Sequence, residues 1–173
     1  MCKSTYFHGD TIVKTDVRAA VLEDVPYLSA WLNDPSVLRW FPMADAREVE
    51  DSVRIWTGYI RLKSALTLCL EGKPVGMANL YISPFRKLAH QSLFSIMIDE
   101  AHRGQGLGTI LLENLIRFAK EEHKIELLHL EVYDGNPAIG LYKKMGFKEY
   151  GRHPRFIKLE DGYVDKVLMQ REL

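Results

Sequence analysis

Apolar positions recur along this chain in two rhythms. Val25, Leu28, Trp31 and Leu32 share one helical face, and Val49, Val53, Trp56 and Ile60 follow at steps of four, three and four. The first set predicts a helix that starts at Asp24 before Pro26 and stops at Asn33-Asp34-Pro35; the second predicts a helix over 46–61. The stretch 36–43 between them, with Leu38, Trp40 and Phe41, reads as an unusually aromatic connection. Upstream, loose alternation over 11–20 predicts a first strand, and residues 1–10 read as a flexible tail. From Ser64 the period shortens. Strands are predicted over 65–70 and 74–81 around the polar turn Glu71-Gly72-Lys73, and over 89–98. A helix follows to about Glu122, with Leu107, Leu111, Leu115 and Phe118 on its stripe. The run 125–132 is too apolar for a half-exposed strand, and after a crossover helix it should pair parallel with its predecessor. A short helix over 137–145 stops at Gly146, and strands over 147–156 and 163–170 flank a second polar turn. The order β-α-α-β-β-β-α-β-α-β-β predicts an α/β fold, a mixed sheet covered by helices, in one domain over 1–173.

Within that order, residues 93–118 hold the most chemistry. An apolar strand ends at Ile98, a polar loop carries Gly104, Gly106 and Gly108, and an amphipathic helix begins near Gly108. Glycines let a backbone turn without a Cβ penalty and approach a ligand closely. The first N–H groups of a helix lack intrahelical partners and sit at the positive end of its dipole, so a phosphate or pyrophosphate is the natural guest. A P-loop would need Lys before Thr109, where Gly108 stands. A dinucleotide fingerprint would need G-x-G-x-x-G tight against its strand, whereas these glycines are evenly spaced and a charged loop over 99–103 precedes them.

Composition narrows the class. The chain has 173 residues, 47% hydrophobic and 27% charged, with 23 basic and 23 acidic side chains, so no global field recruits nucleic acid or an anionic membrane. No apolar run approaches the roughly 20 residues of a membrane span, and the first ten residues lack a signal-peptide core, which places the expected location in the cytoplasm. Cys2 and Cys69 suggest neither a disulfide scaffold nor a metal site, and Cys69 reads as a small core residue. No metal is expected.

Arg103-Gly104-Gln105-Gly106-Leu107-Gly108 resembles the R/Q-x-x-G-x-G/A signature of the GNAT superfamily of acetyl-CoA-dependent N-acetyltransferases. Farther on, Asn136-Pro137-Ala138-Ile139-Gly140-Leu141-Tyr142-Lys143-Lys144-Met145-Gly146-Phe147 is similar to that family's N-x-x-A-I-x-L-Y-x-x-x-G-F, with the Ala-Ile-x-Leu-Tyr-Lys-Lys-x-Gly-Phe portion matching position by position. Counting back from Tyr142, the family's Asn falls on Gly135, so Asn136 sits one residue late. Leu130-Glu131-Val132 resembles the ribosomal-protein alanine acetyltransferase branch, and the run from Asn33 to Pro42 resembles that branch and the polyamine acetyltransferases. The predicted element order is also the GNAT order, which implies a central parallel strand pair that splays apart.

The resemblance implies acetyl transfer from acetyl-CoA to a primary amine, with the acceptor a small molecule or a protein or peptide amine, and with direct attack in a ternary complex. It implies cofactor contacts from the backbone of Ile96, Met97 and Ile98, from Arg103, Gly104, Gln105, Gly106, Leu107, Gly108 and Thr109, and from Asn136 and Tyr142. Tyr142 is the implied proton donor to the leaving thiolate; its plainer reading is a helix tyrosine packed on the sheet. Glu131 is the implied base, and its plainer reading is a solvated or ion-paired carboxylate. Trp40, Phe41 and Tyr59 read either as an acceptor lining or as core. The rival activity is a non-catalytic acyl-CoA sensor, and the chain is expected as monomer or homodimer.

Overall fold

The computed structural model describes residues 2–8, 11–160 and 162–173, those up to 13 by backbone alone. The chain divides into two compact units, 1–80 with 95–115 and 81–94 with 116–173.

In the first unit, β1 (Cys2–His8), β2 (Thr11–Ala19), β3 (Ala65–Leu70) and β4 (Lys73–Leu80) pair antiparallel in sequence order. The expected tail over 1–10 is therefore corrected: Cys2 to His8 form a strand whose register runs from Cys2 opposite Val17 to His8 opposite Thr11. Edge pairing is made by main-chain hydrogen bonds, so this strand needs no apolar face to advertise it. Met1, Gly9 and Asp10 lie outside the described residues. The turn after β3 places Glu71 and Gly72 at φ 49° and 82°, the left-handed pair a two-residue hairpin demands.

Helices α1 (Val25–Leu32), α2 (Pro35–Leu38) and α3 (Ala46–Arg61) follow β2. The aromatic connection thus contains a single helical turn, begun by Asp34, whose carboxylate accepts from Ser36 N at 2.8 Å. Helix α3 starts at Asp45, which accepts from Glu48 N at 2.9 Å while Glu48 reaches back to Ala44 N at 2.7 Å. One buried cluster unites Leu28, Trp31, Leu32, Val37, Val49, Trp56 and Ile60 of these helices with Ala65, Met77 and Met97 of the strands. Full burial of each such side chain contributes about 1.5–3 kcal/mol.

β5 (Gln91–Ile98) ends in this unit, where Asp99 N donates to Val75 O at 2.9 Å. Gly76 makes that approach possible, since a Cβ there would meet Ile98 Cδ1 at 2.5 Å and the Met97 carbonyl at 2.9 Å. Helix α4 (Leu107–Glu121) follows, burying Leu107, Leu111, Leu112, Leu115 and Ala119. Phe118 sits at the edge of that stripe, with its ring 4.7 Å from His123.

In the second unit, β5 pairs parallel with β6 (Leu127–Tyr133) as expected, from Gln91 opposite Leu127 to Leu93 opposite His129. On its other edge β6 is held along its whole length by β8 (Gly162–Glu172), which pairs with β7 (Lys148–Leu159). Helix α5 (Ala138–Lys144) is followed by Gly146 at φ 83°, the left-handed position past a helix end.

Candidate functional site

The glycine loop lies in the first unit between the end of β5 and the start of α4. Gly104 and Gly106 take φ 73° and 79°, and a side chain at Gly104 would meet nothing within 4 Å. Gly108 differs from the expectation: it is the second residue of α4 and needs no left-handed backbone. The Gly106 carbonyl accepts from Thr109 N at 3.0 Å and Ile110 N at 3.3 Å, which places the amides of Gly106, Leu107 and Gly108 ahead of the first helical bonds. Those amides are the orphan donors an anion can satisfy. Leu107 is 1% exposed and anchors the turn, so the amides are presented by a fixed backbone.

Arg103 Nε donates to Ile98 O at 3.1 Å, and a guanidinium nitrogen reaches Ser36 O at 3.5 Å. The cation predicted to meet a phosphate thus also ties the loop to the end of β5 and to α2. Its charge and the Ser36 amide hold the neighbouring Asp34 carboxyl below the ordinary range, the Ser36 bond being the larger cause. Gln105 donates to Ala101 O at 3.3 Å, closing the loop on itself. His102 Nδ1 and Asp99 form a contact at 2.8 Å one turn earlier. Ile96 and Ile98 are partly exposed, Met97 is 5% exposed, and the Ile98 carbonyl is engaged by Arg103.

Tyr142, Glu131 and Asn136 belong to the second unit. Tyr142 is 7% exposed, edge-on to Phe94 at 6.1 Å and to Phe147 at 6.1 Å. Burial among these rings raises its pKa well above the usual phenol value, so the hydroxyl is protonated at neutral pH. The residue thus packs against the sheet, as its plainer reading has it, and it retains a proton. Glu131 is ion-paired with Lys166, whose Nζ also lies 3.3 Å from the centroid of the Phe156 ring. Nothing in the sequence singles out Lys166 or Phe156, because both sit on the last hairpin and reach β6 only in the folded chain, Lys166 from the paired strand β8 and Phe156 through its ring beside Tyr133. On the same face of β6, burial lowers His129 below its usual value against the pull of Glu131. Burial and the same carboxylate push Tyr133 up to about 12. Asn136 Oδ1 accepts from Ala138 N at 2.8 Å, so its shifted position starts α5.

Of the possible acceptor-lining residues, Phe41 and Tyr59 pack against the core cluster, and Trp40 carries the Arg39 guanidinium 4.6 Å above its ring. Among the described residues, no group of acidic, histidine and cysteine side chains could hold a metal, and no helix is long and apolar enough to cross a membrane. A residue that periodicity passed over is Asn79, an amide 3% exposed in an otherwise apolar strand.

Comparison with known proteins places these features in context. A model of the family described as Acetyltransferase (GNAT) matches residues 27–147. An L-amino acid N-acetyltransferase of Escherichia coli is 27% identical over 107 residues, which is 61% of this chain and 66% of that protein. The [ribosomal protein bS18]-alanine N-acetyltransferase of the same species is 37% identical over 83 residues, 47% of this chain and 55% of that one. The matched stretches span from 33% to 66% of the length of such curated relatives. Among solved structures, the ribosomal-protein-alanine N-acetyltransferase from Brucella melitensis aligns with a TM-score of 0.76 at 29% identity, covering 91% of this chain and 99% of that one. An acetyltransferase from Salmonella typhimurium solved with acetyl-CoA shares the fold at a TM-score of 0.78 and 22% identity, over 92% and 94% of the two chains.

Proposed function

This chain belongs to the Acetyltransferase (GNAT) family, and from that premise we propose that it transfers the acetyl group of acetyl-CoA to a primary amine by direct attack. The observation that carries the reading is the glycine loop: two left-handed glycines deliver the amides of Gly106, Leu107 and Gly108 ahead of the first helical hydrogen bonds of α4. These amides, with Arg103, suit a diphosphate. Acetyl-CoA, when bound, supplies an acyl group already activated on a thiol leaving group.

The residues then divide the proton work. An ammonium has no lone pair to attack with, so a proton must leave the amine before the new C–N bond forms and the C–S bond breaks. Glu131 accepts it in this reading, and Lys166 must release the carboxylate for that to happen. Backbone N–H groups near Met97 and Ile98 stabilise the oxyanion. Tyr142 gives a hydrogen bond, and finally a proton, to the sulfur. Because its phenol is a weaker acid than a thiol of pKa about 8.5, the hydrogen bond does most of its work while negative charge is still developing.

An α-amino group, free or at a peptide N-terminus, is the acceptor class this reading favours. The two relatives above act, by their names, on L-amino acids and on an alanine of a ribosomal protein. The α-amine of a peptide N-terminus, of pKa about 8, also gives up its proton more readily near neutrality than a lysine of about 10.4. The decisive measurement is thiol release from acetyl-CoA with a panel of L-amino acids, peptides with unblocked N-termini, and polyamines. Turnover on an α-amine, reduced about 100-fold or more in Tyr142→Phe, is expected. Acetyl-CoA binding without turnover on any acceptor would make the chain an acyl-CoA sensor instead.

A further inference from the structure

Three strands of the second unit bring one row of side chains together. Tyr133 of β6 stands opposite Lys166 of β8, and Lys166 stands opposite His153 of β7, so the three share a face of the sheet. Glu131, two residues before Tyr133, lies on that face as well, diagonal to Lys166. Phe156 reaches it from a bulge. The β7 register breaks between His153 and Ile157, and Arg155 there takes φ 54° while its N–H donates to Asp165 Oδ1 at 2.8 Å. A non-glycine residue adopts that left-handed backbone only at a cost, and a bulge of this kind re-aims a side chain. Here it brings the Phe156 ring within 5.1 Å of His153 and 6.4 Å of Tyr133, with Lys166 Nζ 3.3 Å from its centroid.

The Lys166 ammonium is thus set between a ring face and the Glu131 carboxylate, which is its single side-chain hydrogen-bond partner among the described residues. The pair opens to solvent. The Glu131 side chain is 42% exposed and Phe156 36%, against 12% for the Lys166 side chain. Glu131 can accept a proton from an amine only when its contact with Lys166 is broken. Lys166 would then be a largely covered cation without a counter-ion, which is a costly arrangement. A free α-amino acid resolves this, because it carries an ammonium for Glu131 and, on the same carbon, a carboxylate for Lys166. Each charge loses one partner and gains another.

We propose that Lys166 is a specificity residue that binds the carboxylate of the acceptor, which makes free α-amino acids the substrate class. This rests on the acetyl-transfer reading with Glu131 as base, and narrows its acceptor. The flexible four-carbon stem of lysine lets the ammonium follow the incoming carboxylate. A peptide N-terminus offers only a neutral carbonyl at that place, and a polyamine brings a further cation; both leave Lys166 unpaired.

The test compares each L-amino acid of the panel with its own amide. The ratio of kcat/KM for acid over amide should fall about tenfold or more in Lys166→Met, and Lys166→Arg should retain most of it. The basicity of each substrate is the same for every variant, so a change in the ratio belongs to the side chain. Equal losses on acid and amide in Lys166→Met would mean that the lysine only orders Glu131, and would overturn the proposal, as would turnover confined to polyamines. The wild type provides a reading that needs no variant and no turnover: the ε-methylene resonance of Lys166, assigned through bonds, should move on titration with the amino acids and far less with their amides. A resonance that does not distinguish the two overturns the assignment. Absence of an acetyl-CoA-induced Tm shift in the wild type would instead sink the acetyl-transfer reading, and the two failures are read separately.

Discussion

Asp24 shows how far one residue's role departs from its local signal. Before Val25-Pro26 it reads as a helix start, yet its side chain makes no cap. It is 2% exposed and meets Arg18 at 2.7 Å, Thr67 Oγ1 at 2.7 Å and Val21 N at 3.0 Å. Burial alone would raise its carboxyl pKa, but the bonds from Arg18, Val21 and Thr67 outweigh that and hold it below the ordinary value. Asp24→Asn, which leaves Arg18 without its partner, should cost about 2–4 kcal/mol by urea denaturation, less than a fully buried pair because Arg18 is partly exposed. No local reading finds this arrangement, since Thr67 lies 43 residues away. The glycines are the opposite case. Gly106 at φ 79° requires what only glycine adopts cheaply. Gly106→Ala should weaken acetyl-CoA binding at least tenfold by calorimetry, with a strain of about 1–2 kcal/mol appearing in Tm.

Among the elements, α3 was legible to the residue. Its period, its Asp45 cap and its reciprocal Glu48 bond all lie within the segment itself. The cap makes a sharp prediction: Asp45→Ala should lower stability by about 1 kcal/mol, and Asp45→Asn should recover most of it, as read by thermal melts. Strand β1 was illegible for the converse reason. Its order comes from the main-chain ladder with β2, a pairing that the segment read by itself does not contain. The same logic covers Asn136. The family pattern implies a cofactor contact for it, and its bond from Ala138 N at the start of α5 is a local role that the pattern does not mention.

At the scale of the whole molecule, the balance of charges makes acid the informative stress. His129 is held below its usual value of 6.5 by burial, so its contribution to stability is complete above about 6.5 and fades as pH falls below that. The depressed Asp24 carboxyl contributes fully above about 4 and is lost as pH drops through its folded value. Tm should therefore decline gently from pH 7 to 5 and steeply below 4. His129→Gln should flatten only the first part; a profile flat down to pH 3 would contradict both assignments.

The sequence by itself determined whatever depends on neighbours along the chain. Helical periods, turn dipeptides, the strand-loop-helix of 93–118 and the Ala138-to-Phe147 motif are set by residues within a few positions of one another, where propensity and capping act. Only the tertiary structure decided which distant groups share a buried face. It engaged Glu131 with Lys166, tied Arg103 to Ile98 and α2, enclosed Asp24, and left the oxygen of Asn79 without a donor among the described residues. Burial removes water as the default partner, so each of these polar groups takes its character from whatever the fold happens to bring beside it.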